Sequence, residues 1–345
     1  MIMNQAMAAA ASGATATGLG SWPGNDPREA NRVVRGELGT PNLPHVVELP
    51  HRGPGADPTG RSAAMLVDLA VDLQPHGWRI IPRAGREHRR AVSLLKTDVD
   101  TLADDIGVNG AAVGELKTQL LGPLSLTSGL YLPSGERALR DAGARRDLAQ
   151  SLAAGAAEHV GRVMAAAPGA QLTVQLDEPR LSDVLHGRIP TASGYRMLRA
   201  VPRLEALEAW AVVVSSLKSA GAHQVLVSAA GVNLPFKELA ETFDGLAVPA
   251  SSVTDHEWES LAEMLEAGRF LWLGVGGVGP LPQVSTMVRS VIDPWNRTGL
   301  DLDRFKQLRL TPDVGLAERT PTEARMMLGR LSSAADALNQ VMAEG

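Results

Sequence analysis

Short apolar runs alternate along the chain with longer segments of helical period. The runs are rich in Val, Leu and Ile and end at residues that favour turns, which is typical of parallel strands covered on both faces by crossover helices. The predicted strands are 15–21, either 63–71 or 78–81, 116–121, 171–176, 224–228, 245–248, 270–275 and 307–310. The predicted helices are 135–167, 203–220, 255–267 and 321–343.

Eight strand–helix units without a linker predict an α/β protein with a single (β/α)8 barrel over residues 15–345. The Ala-rich start, residues 1–14, lacks the positive charges of a signal peptide and is interpreted as a disordered leader. Residues 40–60 are rich in Pro and Gly, and only one predicted strand precedes them. We therefore interpret them as a long loop that forms a lid over the barrel mouth.

Composition narrows the classes of partner and chemistry. The 345 residues are 44% hydrophobic, which is enough for a full core, and the formal net charge is −5. No basic block is present, so nucleic acid is not an expected partner, and no apolar run reaches the roughly 18 residues of a membrane span. We expect a cytoplasmic protein. The absence of cysteine excludes disulfides, thiolate nucleophiles and Cys-containing zinc sites.

Four turns carry the candidate chemistry, because residues that follow barrel strands face the site. They are Gly-Ser-Trp-Pro at 20–23, Gly-Pro-Leu-Ser at 122–125, Gln-Leu-Asp-Glu-Pro at 175–179 and Thr-Pro-Asp-Val-Gly-Leu at 311–316. Their ordered set resembles the cobalamin-independent methionine synthase family, whose turns are Gly-Ser-Phe-Pro, Gln-x-Asp-Glu-Pro-Ala-Leu and Asn-Pro-Asp-Cys-Gly-Leu. The Gly-Pro turn is shared with the related uroporphyrinogen decarboxylases.

The resemblance implies a site for an amino acid such as homocysteine or methionine. Gly20 and Ser21 match the positions that hold the substrate carboxylate in the family, and Asp177 matches the position that holds its ammonium. Hydroxyl and N–H groups suit a carboxylate, and a carboxylate suits an ammonium. The alternative is that Ser21 and Asp177 only cap turns. Arg61 is a further candidate, for clamping an anionic metabolite.

The zinc site of the family is not matched. Ser228 and Ala230 stand where His and Cys are expected, Val248 lies in the segment expected to bear Glu, and Val314 replaces Cys. We therefore predict no metal and no cofactor. A site assembled from scattered histidines is the alternative, although no pair of histidines has the spacing of metal ligands. The family's histidine after strand seven is also missing from the turn at 274–280, a glycine-rich turn that suits either an anion or no ligand.

Three functions remain open at this stage. By resemblance the protein is a methyltransferase that acts from a folate-like donor on homocysteine, in methionine biosynthesis, but without the metal that activates the thiol. The second hypothesis is a non-catalytic barrel that binds an amino acid or an anionic metabolite. The third is a metal-free decarboxylase of the uroporphyrinogen type, which needs arginines at the mouth, and Arg61 and Arg180 are the candidates.

Overall fold

The computed structural model describes residues 12–109, 113–277 and 279–344. The strands are β1 (Thr15–Ala16), β2 (Ala70–Gln74), β3 (Gly77–Ile81), β4 (Glu115–Leu121), β5 (Gln171–Glu178), β6 (Gln224–Ala229), β7 (Gly245–Pro249), β8 (Phe270–Gly274) and β9 (Leu308–Thr311). The α-helices are α1 (Pro27–Glu37), α2 (Pro58–Ala63), α3 (Arg86–Asn109), α4 (Pro123–Gly129), α5 (Ala142–Ala166), α6 (Leu181–Leu185), α7 (Arg203–Ser219), α8 (Phe236–Thr242), α9 (Asp255–Glu266), α10 (Val284–Thr298) and α11 (Pro321–Glu344). Most of the predicted leader, residues 1–11, lies outside the described residues.

A curled parallel sheet of seven strands forms the centre of the fold, in the order β1-β9-β8-β7-β6-β5-β4. Strands such as β5 are largely buried, with Leu172, Val174 and Leu176 on one face and Thr173, Gln175 and Asp177 on the other. The α/β class and the parallel sheet are thus confirmed, but the predicted set of eight regular barrel strands is confirmed only in part.

The predictions for the second strand were wrong. Residues 63–71 span the end of α2 and the turn after it, reaching only the start of β2, and residues 78–81 belong to β3. The strands β2 and β3 pair only with each other, as an antiparallel hairpin that stands apart from the parallel sheet. Both segments are apolar enough for a barrel strand, and apolarity alone does not distinguish the two arrangements.

The segment 43–48, which was expected to belong to a lid, lies instead between β1 and β4. It makes isolated parallel bridges to the residues that follow β1, Thr17–Leu43 and Ser21–Glu48, and to β4, His45–Lys117. Its backbone N–H groups donate to β1 and β4 neighbours, for example Leu43 to Ala16 O at 2.9 Å and Val46 to Lys117 O at 2.8 Å. The first half of the predicted lid therefore packs into the wall of the fold.

The residue before β1 is held against the last helix, α11. The N–H of Ala14 donates to Asn339 Oδ1 of α11, and Asn339 Nδ2 donates back to Ala14 O. This contact fixes the beginning of β1 and thereby the turn that follows it. No helix in the described part of the chain is both long and apolar enough to cross a membrane.

Candidate functional site

A cavity of about 290 Å³ opens at the carboxyl ends of the parallel strands. Its lining comes from the turn after β1, from the segment 43–48 and from the ends of β4, β5, β6, β7 and β9. Two larger clefts, of about 420 and 760 Å³, lie away from the strand ends beside α5 and α7. The strand-end position favours the smaller cavity as the functional site, because active sites of such folds form there.

The cavity is acidic. Three carboxylates line it, those of Glu48, Asp177 and Asp313, and its described lining residues include no Lys, Arg or His. Most of the remaining lining is apolar or small, including Leu19, Leu121, Pro179, Ala229, Ala230, Pro249 and Val314. Such a lining favours a ligand with one cationic group and an apolar remainder.

Ser21 lies at the cavity as the resemblance implied. Its hydroxyl and its N–H donate to no acceptor among the described residues, although its carbonyl accepts from Leu316 N at 3.1 Å. The preceding residue, Gly20, has a φ of +123°, which a residue with a side chain rarely adopts, and a β-carbon there would also meet Gln119. The glycine thus sets the turn that presents Ser21.

Asp177 faces the same cavity from the carboxyl end of β5. Its Oδ1 accepts a hydrogen bond from Gln175 Nε2 at 2.6 Å. Burial and the nearby Glu48 carboxylate together raise the pKa of Asp177 to about 7, against the opposing effects of Gln175 and Lys117. Asp177 is therefore a carboxyl group whose charge an incoming cation would stabilise.

Arg61 does not line the cavity. It is 2% exposed and lies behind the wall, where its Nε is 3.3 Å from Glu48 Oε1 and its guanidinium is ion-paired with Asp98. Arg52 joins the same cluster through Asp98 at 2.8 Å. Burial raises the pKa of Glu48, and the Arg61 charge opposes that rise. Arg61 thus holds Glu48 in place.

Glu178, the neighbour of Asp177, points away from the cavity. It is fully buried and accepts from the N–H groups of Leu124 and Ser125 at the start of α4 and from Trp210 Nε1 at 3.0 Å. Successive residues of a strand face opposite sides, which separates the two carboxyls. Glu178 therefore ties β5 to α4 and α7.

Three of the four positions matched to zinc ligands line the cavity, namely Ser228, Ala230 and Val314. The fourth, Val248, is 3% exposed and does not line it; its neighbour Pro249 does. In the described ranges, no group of three or more His, Asp or Glu side chains is placed to hold a metal ion.

The glycine-rich turn after β8 is held by protein groups. The N–H of Gly276 donates to Asp313 Oδ1 at 3.0 Å, and the carbonyls of Gly277 and Gly279 accept from Arg319. Arg180, the other candidate at the mouth, lies 3.5 Å from Asp183 and is 43% exposed at its side chain. Neither feature adds a cation to the cavity lining.

Sequence reasoning missed Glu48, Asp313 and the buried Lys117. Glu48 follows the apolar pair Val46-Val47, a signal for a short strand that the surrounding prolines obscured. Lys117, Gln119 and Gln175 are polar residues inside otherwise apolar strands, a pattern that indicates side chains pointing into the interior of a curled sheet.

Comparison with known proteins identifies the family of the chain. The family model for the catalytic domain of cobalamin-independent synthases matches residues 14–337. The chain belongs to this family. No curated protein sequence matches it.

Among solved structures, a B12-independent methionine synthase from Shewanella sp. W3-18-1 in complex with selenomethionine is similar in fold to this chain. It has a TM-score of 0.60 at 12% identity, covering 97% of this chain and 99% of the other. A β-mannanase from Alicyclobacillus acidocaldarius is less similar, with a TM-score of 0.46 at 10% identity over 96% of each chain.

Proposed function

We propose that the cavity binds a free amino acid, with methionine as the first candidate, in a site without metal. The main support for this proposal is that one small cavity combines the Ser21 hydroxyl and N–H, which donate to no described acceptor, with the carboxylates of Asp177 and Glu48. An amino acid offers the complementary pair, a carboxylate for the donors and an ammonium for the acids. The selenomethionine bound by the Shewanella structure supports this choice.

The size and lining of the cavity support a ligand of this class. A volume of about 290 Å³ is at the lower end of small-molecule sites, which suits a single amino acid. The wall formed by Ala230, Pro249 and Val314 offers apolar contact to a side chain such as a thioether. An anionic metabolite is disfavoured, since three carboxylates and no cationic side chain line the described cavity.

Methyl transfer to homocysteine, the function that family membership suggests, is the rival. It requires a group that turns a thiol into a thiolate near neutral pH, and zinc is one such group. The donor set does not fit zinc, because the matched positions carry Ser228, Ala230 and Val314 and the chain contains no cysteine. We therefore propose that the zinc site of the family is degenerate here. We also propose that the fold is a (β/α)8 barrel whose second strand is the segment 43–48, which bridges to β4 and to the residues after β1.

A decarboxylase of the uroporphyrinogen type is not supported. It needs arginines at the mouth to hold several carboxylates, and the two candidates are engaged elsewhere: Arg61 is ion-paired behind the wall and Arg180 lies beside Asp183. The acidic lining would repel such a substrate.

Calorimetric titration of the 345-residue protein with L-methionine, L-homocysteine and N-acetyl-L-methionine tests the proposal. We expect methionine to bind and N-acetyl-methionine, which lacks the ammonium, to fail. Ser21→Ala and Asp177→Asn should weaken binding by about tenfold or more, since each removes a hydrogen bond to a charged group. The exposed Ser193→Ala and Asp147→Asn are matched controls.

Elemental analysis of the same protein distinguishes the metal-free amino-acid site from a zinc-dependent methyltransferase. Stoichiometric zinc that survives dialysis, together with homocysteine methylation, would overturn the metal-free site. Binding of N-acetyl-methionine as tight as that of methionine would contradict the role of Asp177.

A further inference from the structure

Lys117 is a buried cation that the amino-acid site does not contact directly. Its side chain is fully buried, and its Nζ donates to Gly18 O at 2.7 Å and to Gln175 Oε1 at 2.6 Å. The ammonium also lies 5.5 Å from the centre of the Trp272 ring, a distance typical of cation–π contacts. A buried lysine is costly unless its charge has a partner, so this one calls for an explanation.

Gln175 connects this lysine to the cavity. Its Oε1 accepts from Lys117, while its Nε2 donates to Asp177 Oδ1 at 2.6 Å and to Leu19 O at 3.1 Å. Both ends of the amide are thereby fixed in orientation, since the oxygen faces a cation and the nitrogen faces two acceptors. Consecutive hydrogen bonds polarise one another, so the charge of Lys117 strengthens the hydrogen bond that Gln175 Nε2 donates to Asp177 Oδ1.

The charged groups around this chain come from several elements. Asp177 faces Glu48 from the segment 43–48, Lys117 from β4 and its neighbour Glu178. Lys117 faces Asp177, Glu48 and Arg309, the last of these from β9.

Further charged groups lie behind Glu48. The Arg61 Nε of α2 lies 3.3 Å from Glu48 Oε1 and offsets the negative charge of Glu48, and Asp98 of α3 in turn pairs with Arg61. Buried His45, beside Lys117, has its pKa lowered to about 3 and so stays neutral above that pH.

Lys117 and Asp177, the two ends of this hydrogen-bonded series, both titrate near neutral pH. Burial lowers the pKa of Lys117 to about 7, although the charges of Asp177 and Glu48 oppose the fall. Burial raises the pKa of Asp177 to about 7. The pair can therefore gain or lose a proton in the range where a ligand would bind.

We propose that Gln175 transmits the charge of Lys117 to Asp177, and that an ammonium group binding at Asp177 displaces one proton from this pair to solvent. In the protonated form, the Asp177 carboxylic acid loses its proton as the ligand ammonium takes its place, so total charge balances. The ligand half of this inference rests on the proposed amino-acid site, whereas the Lys117–Gln175–Asp177 link does not. Lys117 is a positioning residue, because it acts on the ligand only through Asp177.

The link is tested without ligand by following the aspartate side-chain carboxyl carbons by NMR against pH. The resonance that is missing in Asp177→Asn identifies Asp177. In Lys117→Met we expect its titration midpoint to move to higher pH by about one pH unit, because a nearby cation is lost. Lys117→Gln, which keeps a donor for the two carbonyl oxygens, is a second variant should the methionine variant fold poorly.

A double-mutant cycle identifies the role of Gln175. The shift caused by Lys117→Met should shrink in a Gln175→Leu background, since the connecting amide is then absent. An equal shift in both backgrounds would show that Lys117 acts through space, and no shift in either would remove Lys117 from the site. Both results overturn the inference.

Titration with L-methionine in two buffers of different ionisation enthalpy measures the proton release. We expect about half a proton released per methionine at pH 7 and close to none at pH 8.5, where Asp177 is already ionised. Methionine binding without proton release at pH 7 overturns the inference while sparing the proposed function. An absence of methionine binding sinks the proposed function, and the NMR cycle still decides the link.

Discussion

The Ser21 hydroxyl oxygen occupies the space into which a β-carbon on Gly315 would project. Gly315 has no positive φ, so alanine is compatible with its backbone, and the clash is with a side chain that can rotate. We expect Gly315→Ala to leave the fold intact and to turn the hydroxyl out of the cavity. Methionine affinity should fall by about tenfold, as for a lost hydrogen bond to a carboxylate, measured by calorimetry.

Gly36→Ala is the matched control for this substitution. Gly36 lies in α1, and a β-carbon there would meet nothing within 4 Å. It should leave methionine affinity unchanged and raise the helix stability slightly. Unaltered affinity in Gly315→Ala would remove the Ser21 hydroxyl from the proposed carboxylate site.

Glu48 should contribute to holding the ligand ammonium. It lines the cavity with Asp177, and its own cation, Arg61, lies behind the wall. Glu48→Gln keeps the shape and removes the charge, so methionine affinity should fall by about five- to tenfold. Calorimetry checks this, with exposed Glu318→Gln as the control. An affinity that rises instead would mean that the Glu48 charge opposes methionine binding and does not hold its ammonium.

Arg61 should matter for stability more than for binding. Replacing it by Met leaves the buried Glu48 carboxylate without its cation, while Asp98 keeps Arg52, and breaking a buried ion pair costs about 3–5 kcal/mol. Urea denaturation of Arg61→Met should show a loss of this size. Arg180→Met, which removes an exposed pair with Asp183, should change the free energy of unfolding by less than about 1 kcal/mol. Equal stability of both variants contradicts the structural role of Arg61.

The sequence predicted the site best where a strand ended in a clear turn. Ser21 and Asp177 stand in turns at the ends of predicted strands, so their place at the cavity could be inferred from strand ends. Glu48 was missed because Pro41, Pro44 and Pro50 surround it and shorten the apolar run to a few residues. A strand position held by isolated bridges leaves little periodic signal.

Electrostatic relationships were beyond sequence reasoning for a different reason. Arg61 and Asp98 are 37 positions apart and meet only when α2 packs on α3. The link from Lys117 through Gln175 depends on β4 and β5 being neighbours in register, which no local pattern specifies. Arg61 was consequently expected at the mouth, where a solvated arginine in a loop would reach, and it lies behind the wall.

His159 provides a stability prediction with a defined sign. It is buried in α5 with its Nε2 3.1 Å from Thr118 Oγ1, and burial lowers its pKa to about 3 from the ordinary 6.5. Below pH 6.5 His159 is therefore protonated in the unfolded chain but not in the folded protein. Its contribution to the free energy of unfolding is fully present above pH 6.5 and is lost as the pH falls toward 3. Between pH 7 and pH 5 this single group should cost about 2 kcal/mol. His159→Gln, which does not titrate, should lose that much less stability over the same interval in urea denaturation, whereas the exposed His256→Gln should follow the wild type. Parallel pH profiles for wild type and His159→Gln would mean that the pKa of His159 is not lowered in the folded protein.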